Sequence, residues 1–157
     1  MRHLAALTLL SIVSAASHGA ASCTASATAM SFGNYSPLAS SSSIQALGAV
    51  SVSCSRSFGD LDTVVNFNAV IGPGSSGNYG ARTLRSGSGQ LAYQLYKTAN
   101  GQSPWLATGE TGSLSLPLFG NRRATKDYAV FGQIVPLQSS ARPGTYTDTL
   151  SFTVTYD

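Results

Sequence analysis

From Tyr146 to Tyr156 the chain alternates without a break. Thr147, Thr149, Ser151, Thr153 and Thr155 share one parity; Tyr146, Leu150, Phe152, Val154 and Tyr156 share the other, and Asp148 is its one charged member. Successive side chains of a strand point to opposite faces, so this pattern defines a half-buried strand and excludes a helix. Shorter stretches repeat the pattern. Val50, Val52 and Cys54 mark one face of residues 46–54, and Val65, Phe67, Ala69 and Ile71 mark one face of residues 63–71. Leu91, Tyr93 and Leu95 alternate, as do Leu114, Leu116 and Leu118, while Tyr128, Val130 and Ile134 mark the penultimate strand. A first run over residues 24–32 ends in Gly33-Asn34-Tyr35-Ser36-Pro37, and Gly- and Ser-rich stretches at 40–43 and 72–77 read as loops. About six or seven short strands at this spacing predict an all-β chain folded as an antiparallel sandwich, although a barrel satisfies the same periodicity.

The N-terminus follows a different rule. Met1-Arg2-His3 is a short basic start, residues 4–13 are apolar, and small residues fill 14–22. This order reads as an export leader over residues 1–22, cleaved somewhere between 16 and 22, with one domain over 23–157. The apolar run is too short for a spanning helix. Charged residues are only 10% of the chain, against roughly 25% in ordinary soluble domains, so Ser, Thr and Gly must supply the polar surface. The formal charge of +3 drops to +2 when Arg2 leaves with the leader. A charge that small gives no electrostatic footprint for nucleic acid. The only histidines, His3 and His18, lie in the leader or its cleavage zone. A domain without imidazole lacks the central residue of the common hydrolytic triads and of histidine metal sites, so the sequence predicts no enzyme, no cofactor and no small-molecule substrate.

A few residues are candidates for more than packing. Cys23 and Cys54 are the only cysteines; they sit where two strands of a hairpin would meet, and an exported chain enters an oxidising compartment, so a disulfide fits. Lipidation of Cys23 after Ala20-Ala21-Ser22 is the rival, without the leucine usual three residues earlier and with Cys54 left unpaired. Asp60 and Asp62 make a calcium site of only two carboxylates, and a solvated turn explains them as well. Arg122 and Arg123, with Lys126, form a basic cluster that suits either an anionic surface or a charged loop tip. Asp148, on the inward parity, requires a donor; Arg82 or Arg142 would supply it, with Arg82 the expected partner at the sheet's rim. Trp105, following Pro104, is either a surface-binding aromatic or a cover for one end of the core.

Several segments in order resemble the spore coat protein U domain family of bacterial secreted proteins. They are Cys23-Thr24-Ala25-Ser26-Ala27-Thr28 with Phe32-Gly33-Asn34-Tyr35-Ser36-Pro37, Gly48-Ala49-Val50-Ser51-Val52-Ser53-Cys54, and Gly77-Asn78-Tyr79-Gly80-Ala81-Arg82-Thr83-Leu84. Leu91-Ala92-Tyr93-Gln94-Leu95-Tyr96, residues 128–134 and Pro143-Gly144-Thr145-Tyr146-Thr147-Asp148-Thr149 complete the set. The family includes subunits of archaic chaperone–usher pili that act in attachment and biofilm formation. The resemblance implies an immunoglobulin-like sandwich lacking its last strand. It also implies a periplasmic chaperone, an outer-membrane usher, a neighbouring subunit that donates the missing strand, and a place at the cell surface or in a pilus. Shaft subunits of such fibres carry an alternating apolar donor segment before the first cysteine. Cleavage after Ala16 would leave only Ser17-His18-Gly19-Ala20-Ala21-Ser22 here, so this chain is expected to accept a strand without donating one. A free-standing secreted or coat protein, and a carbohydrate-binding sandwich using Trp105 and the tyrosines, are the alternatives.

Overall fold

A computed structural model of the chain describes residues 4–13, 21–37, 43–57, 64–119 and 122–157. Asp60, Asp62, His3, His18 and residues 16–20 of the expected cleavage zone 16–22 lie outside the described residues. The strands are β1 (Leu4–Val13), β2 (Ala21–Ala27), β3 (Met30–Asn34), β4 (Ile44–Arg56), β5 (Val64–Ile71), β6 (Arg82–Ser86), β7 (Gly89–Tyr96), β8 (Glu110–Ser115), β9 (Arg123–Ile134) and β10 (Tyr146–Tyr156), with a 3-10 turn at Gly74–Ser76. The described residues contain no α-helix. The fold is all-β, as the alternation predicts.

Hydrogen bonding runs in the order β2-β4-β9-β7-β6-β10-β1-β3, and β5 joins β10 on one side and β8 on the other. Strand pairs are antiparallel except β1 with β10, which run parallel. β2 packs against β1 and β10, far from it along this order, so the sheet folds over on itself around one core. The inward parities are those of the sequence. Val50, Val52 and Cys54, then Val65, Phe67, Ala69 and Ile71, and then Leu91, Tyr93 and Leu95 are all buried. On β10, Tyr146, Leu150, Phe152 and Val154 are buried and the threonines line the other face.

Three local differences have physical causes. The run over residues 24–32 is two strands, not one. Thr28 accepts a hydrogen bond from the Ala49 amide through its hydroxyl (2.8 Å) and donates its own amide to the Ala49 carbonyl (2.9 Å), which closes the β2–β4 ladder. Met30 and the residues after it are then free to pair with β1. Leu118 is exposed, because β8 stops at Ser115 ahead of Pro117 and the parity is lost there. β6 carries no alternation signal because one of its two inward residues is an arginine, Arg82.

Candidate functional site: a shared strand edge and the polar network beneath it

β10 has two edges, and they are served very differently. One is shared between β6, at Thr147, and β5, at residues 152–156. Among the described residues the other is paired by β1, from Ala5 opposite Tyr146 to Val13 opposite Val154. Among the described strands β3 in turn pairs with β1 alone, with Leu4 opposite Asn34 and Leu7 opposite Met30. Of these strands, β1 is therefore the one that joins β3 to β10. Backbone amides and carbonyls are obligatory hydrogen-bonding groups, so without β1 both strands would present open ladders.

The slot is apolar as well as hydrogen-bonding. Leu7 is 1% exposed and sits opposite both Asp148 and Met30. Met30 and Phe32 of β3 are buried and lie over two glycines. A Cβ on Gly132 would come within 2.5 Å of the Met30 sulfur and 2.6 Å of the Phe32 ring, and one on Gly48 within 2.9 Å of the Met30 methyl. The missing side chains let β3 lie close to β4 and β9 and form one wall of the slot.

Beneath β10 lies a polar network that the sequence indicates only in part. Asp148 has inward parity, as expected, and is 3% exposed. Its Oδ1 accepts from the amides of Ser75 (2.8 Å) and Thr149 (2.9 Å), and its Oδ2 accepts from the Tyr93 hydroxyl (2.7 Å). Gly74 makes this possible: its φ is +70°, and a Cβ there would sit 2.1 Å from Oδ2. Burial, then the hydrogen bond and charge of Asp148, push the Tyr93 phenol far above the ordinary tyrosine range, with Arg82 acting weakly in the opposite direction.

Arg82 is fully buried and uses its whole fork. Its Nη1 donates to the carbonyls of Tyr79 (2.8 Å) and Trp105 (2.9 Å) and to Gln94 Oε1. Its Nη2 reaches Ile71 O and Gly72 O (3.2 Å each), and its Nε reaches Gly72 O (3.3 Å). Burial lowers the guanidinium pKa from its ordinary value, and the Tyr93, Tyr79 and Asp148 charges oppose that shift. Arg82 and Asp148 thus share one buried region, yet they form no salt bridge. Each is satisfied by its own partners, and Arg142 does not replace Arg82: Tyr146 Oη holds its backbone, accepting from the amide (3.0 Å) and donating to the carbonyl (2.8 Å). The expected rim pair is corrected to two separately bonded buried ions.

The other candidates are placed as follows. Cys23 and Cys54 are directly opposite on β2 and β4 and form a disulfide, which removes the lipidated alternative in this fold. Trp105 is corrected from candidate surface aromatic to core: it is fully buried, edge-on to Tyr128 with ring centroids 6.1 Å apart, and Lys97 lies over its ring. Arg122 and Arg123 lie at the start of β9, where the Arg122 carbonyl accepts from the Arg56 amide, and Lys126 extends over Tyr128. Tyr93, Ser75 and Gln94 were not anticipated as members of the network; the inward parity of Tyr93 was the one available signal. No group of three or more His, Cys, Asp or Glu able to hold a metal occurs among the described residues.

The fold and this slot define a class: an all-β domain whose final strand takes its free edge from a separate N-terminal strand. The chain belongs to the spore coat protein U domain family, whose model matches residues 9–153. No curated protein matches the sequence. Among solved structures, it is similar to a chain in the CsuC–CsuE chaperone–tip adhesion subunit pre-assembly complex from archaic chaperone–usher Csu pili of Acinetobacter baumannii. The TM-score is 0.50 at 18% identity, and the match covers 85% of this chain but only 39% of that one. The P pilus rod subunit PapA gives a TM-score of 0.46 at 14% identity, with 80% of this chain and 90% of that one covered.

Proposed function

We propose that this chain is a non-enzymatic subunit of a chaperone–usher surface fibre and receives a partner's strand in the slot between β3 and β10. The observation that carries the reading is the position of β1, which among the described strands is the one paired with β3 and along one edge of β10. In this reading residues 1–22 are an export leader. Their removal leaves an incomplete immunoglobulin-like sandwich over 23–157 with an apolar, hydrogen-bonding gap. Such an edge is an aggregation hazard unless covered, and strand addition covers it with backbone bonds for affinity and alternate side chains for selectivity. A periplasmic chaperone fills the slot first, a neighbouring subunit's strand replaces it, and an outer-membrane usher passes the subunit to the surface, where the fibre serves attachment or biofilm growth. The buried network beneath β10 has a structural part in this scheme: Asp148 ties the Gly74–Ser76 turn to β10, and Arg82 ties the Tyr79 and Trp105 loops to β6. Trp105 gives no support to the carbohydrate-binding alternative, because its ring is not at the surface.

The test uses the full chain, exported and then purified from periplasm with and without a coexpressed cognate chaperone. It is expected to be recovered in quantity only with the chaperone, and peptides of alternating apolar residues should raise its melting temperature with concentration, by about 2.7 kcal/mol of linked stability at a hundred times Kd. A stable monomer indifferent to both would refute the proposal.

A further inference from the structure

The outer face of β10, β5 and β8 carries an uncharged polar lattice. Val65, Phe67 and Ala69 of β5 point inward, so Asn66 and Asn68 share the outward parity. Register places Thr155 of β10 and Thr111 of β8 directly opposite Asn68, and Ser113 opposite Asn66. Neighbouring strands lie about 4.8 Å apart and alternate residues about 6.5–7 Å apart, so these five residues form two short rows on one surface. They also line a groove of about 840 Å³. We infer that this groove binds a strand of neutral polysaccharide.

The chemistry of the lining carries the inference. Carboxamides and hydroxyls each offer donors and acceptors together, the mixed set that a row of sugar hydroxyls requires. Asparagine is depleted in strands, and β5 places two at consecutive outward positions, a choice that strand propensity does not explain. Their capacity is unspent: none of the five side chains makes a hydrogen bond among the described residues. Asn68 Oδ1 is shut in without a donor beside Gly109, where a Cβ would lie 2.9 Å from it. The outer face of β2, β4 and β9 is also rich in hydroxyls, but several are spent internally. Thr24 donates to the Ser53 carbonyl (3.3 Å), Thr125 to the Ser53 hydroxyl (2.9 Å) and Ser51 to Asp127. A ligand on that face must displace protein bonds, whereas one on β5 displaces water.

Charge sets the class of saccharide. Lys126 and Asp157 border the groove and are opposite in sign, so no net field favours an anionic or a cationic ligand. Gly112 helps to bring Lys126 there. A Cβ on Gly112 would lie 2.8 Å from the Tyr128 hydroxyl, so its absence lets Tyr128 pack beneath β8, and Lys126 lies over the Tyr128 ring. Trp105 is not part of the lining. Each bond to the ligand replaces one to water, so a single groove binds weakly. In a fibre the groove recurs on every subunit, and a polysaccharide that spans several gains about 10²- to 10⁴-fold in avidity. That gain rests on the fibre reading above; binding by one subunit does not.

The experiment uses the full chain, exported and purified from periplasm, with the coexpressed chaperone where recovery requires it. It is titrated calorimetrically with cellohexaose, chitohexaose and, as the charged comparison, hexagalacturonate. Amide exchange at residues 66–68 and 111–113 is followed in parallel. At least one neutral hexamer should bind, protect those amides and keep its Kd when the ionic strength is raised. Asn68→Ala combined with Thr111→Ala should weaken that binding roughly tenfold or more, the worth of one or two net hydrogen bonds, with the melting temperature unchanged because both sites are at the surface. Ser51→Ala, on the other sheet face, should leave it unaltered. Neutral hexamers that fail to bind at about millimolar concentration, or that bind the double variant as well as the wild type, would overturn the inference. Tighter binding of hexagalacturonate would overturn the assignment to neutral saccharides. Strand acceptance is read by a different assay, so the acceptor reading stands or falls separately.

Discussion

Replacing Arg82 by methionine tests whether the buried fork, rather than its charge, holds the loops around β10. The substitution keeps an apolar stem of similar reach and removes every donor. Four backbone carbonyls (Ile71, Gly72, Tyr79 and Trp105) and the Gln94 side-chain oxygen lose their guanidinium partner. The Tyr79 carbonyl keeps the Gln94 Nε2 donor and Gln94 Oε1 keeps the Leu95 amide, so at about 1–2 kcal/mol for each of the other three acceptors the loss is about 3–6 kcal/mol. Against it stands the desolvation of the guanidinium, several kcal/mol that methionine does not incur. The net destabilisation is about 1–3 kcal/mol, a sizeable share of the roughly 5–15 kcal/mol typical of a domain. In urea, with m near 1.5–2 kcal/mol/M for a chain of this size, the midpoint should fall by roughly 0.5–2 M at constant m. Arg82→Lys is the decisive comparison. Lysine keeps the cost of burying a charge, yet its three donors radiate from one atom and cannot span carbonyls on four segments. It should be no more stable than methionine. A lysine variant close to wild type would show that charge alone suffices and would refute the geometric argument.

Two further outcomes follow from the same core. Replacing Cys23 and Cys54 together by serine opens a link across a sequence separation of 31; this should cost about 3–4 kcal/mol on the chain-entropy model and lower the melting temperature by roughly 10 °C or more, whereas two free thiols in the intact mass of the wild type would contradict the bridge. The alkaline limb of stability is set in part by Tyr93, whose folded-state pKa is raised by burial and Asp148. The folded chain holds that proton more tightly, so its contribution is full below about pH 10 and is lost as pH rises beyond the unfolded tyrosine value. Tyr93→Phe should flatten the alkaline limb by up to about 1.4 kcal/mol per pH unit, leaving a residual slope from Tyr128, which burial also raises; an unchanged slope in pH-dependent urea melts would show that Tyr93 ionises freely in the folded protein.

What the sequence revealed of the fold depended on whether the inward positions were apolar. β10, β5 and β7 each alternate cleanly, and their burial follows the alternation. β6 could not be read because an inward arginine breaks the pattern that identifies a strand. The split between β2 and β3 depends on one hydroxyl, Thr28, replacing a ladder bond, and a threonine in a β-rich run carries no sign of which bond it will make. Asp148 shows both the strength and the limit of parity. Its inward position follows from the spacing, but its partner does not, because that depends on Gly74 holding a positive φ some seventy residues away along the chain. Trp105, in a loop after a proline, has no parity to be read, and only the packing of Tyr128 and Lys97 reveals that it belongs to the core.

The N-terminal segment poses the reverse problem, since its sequence has one plain reading and its place in the fold suggests a second. A basic start, an apolar run and small residues define a leader by composition, and composition does not distinguish a segment that is recognised and removed from one that can also pair. Pairing requires an open edge of matching length elsewhere in the chain. β10 supplies that edge over residues 146–154, the length of the apolar run leaves few unpaired positions, and β3 supplies a second edge on the far side. The side chains exposed when β1 departs are the inward set of β10, so the alternation that identifies β10 as a strand also specifies what an incoming donor must present: apolar groups at every second position. A leader needs only to be apolar on average, whereas a donor must be apolar in register. Moving Leu7 by one place, through exchange with Thr8, keeps the composition of the run and breaks that register. It should leave export and processing unaltered while releasing the protection of residues 146–154 in the uncut chain. Protection that survives the exchange would mean that bulk hydrophobicity, and not register, seats the strand.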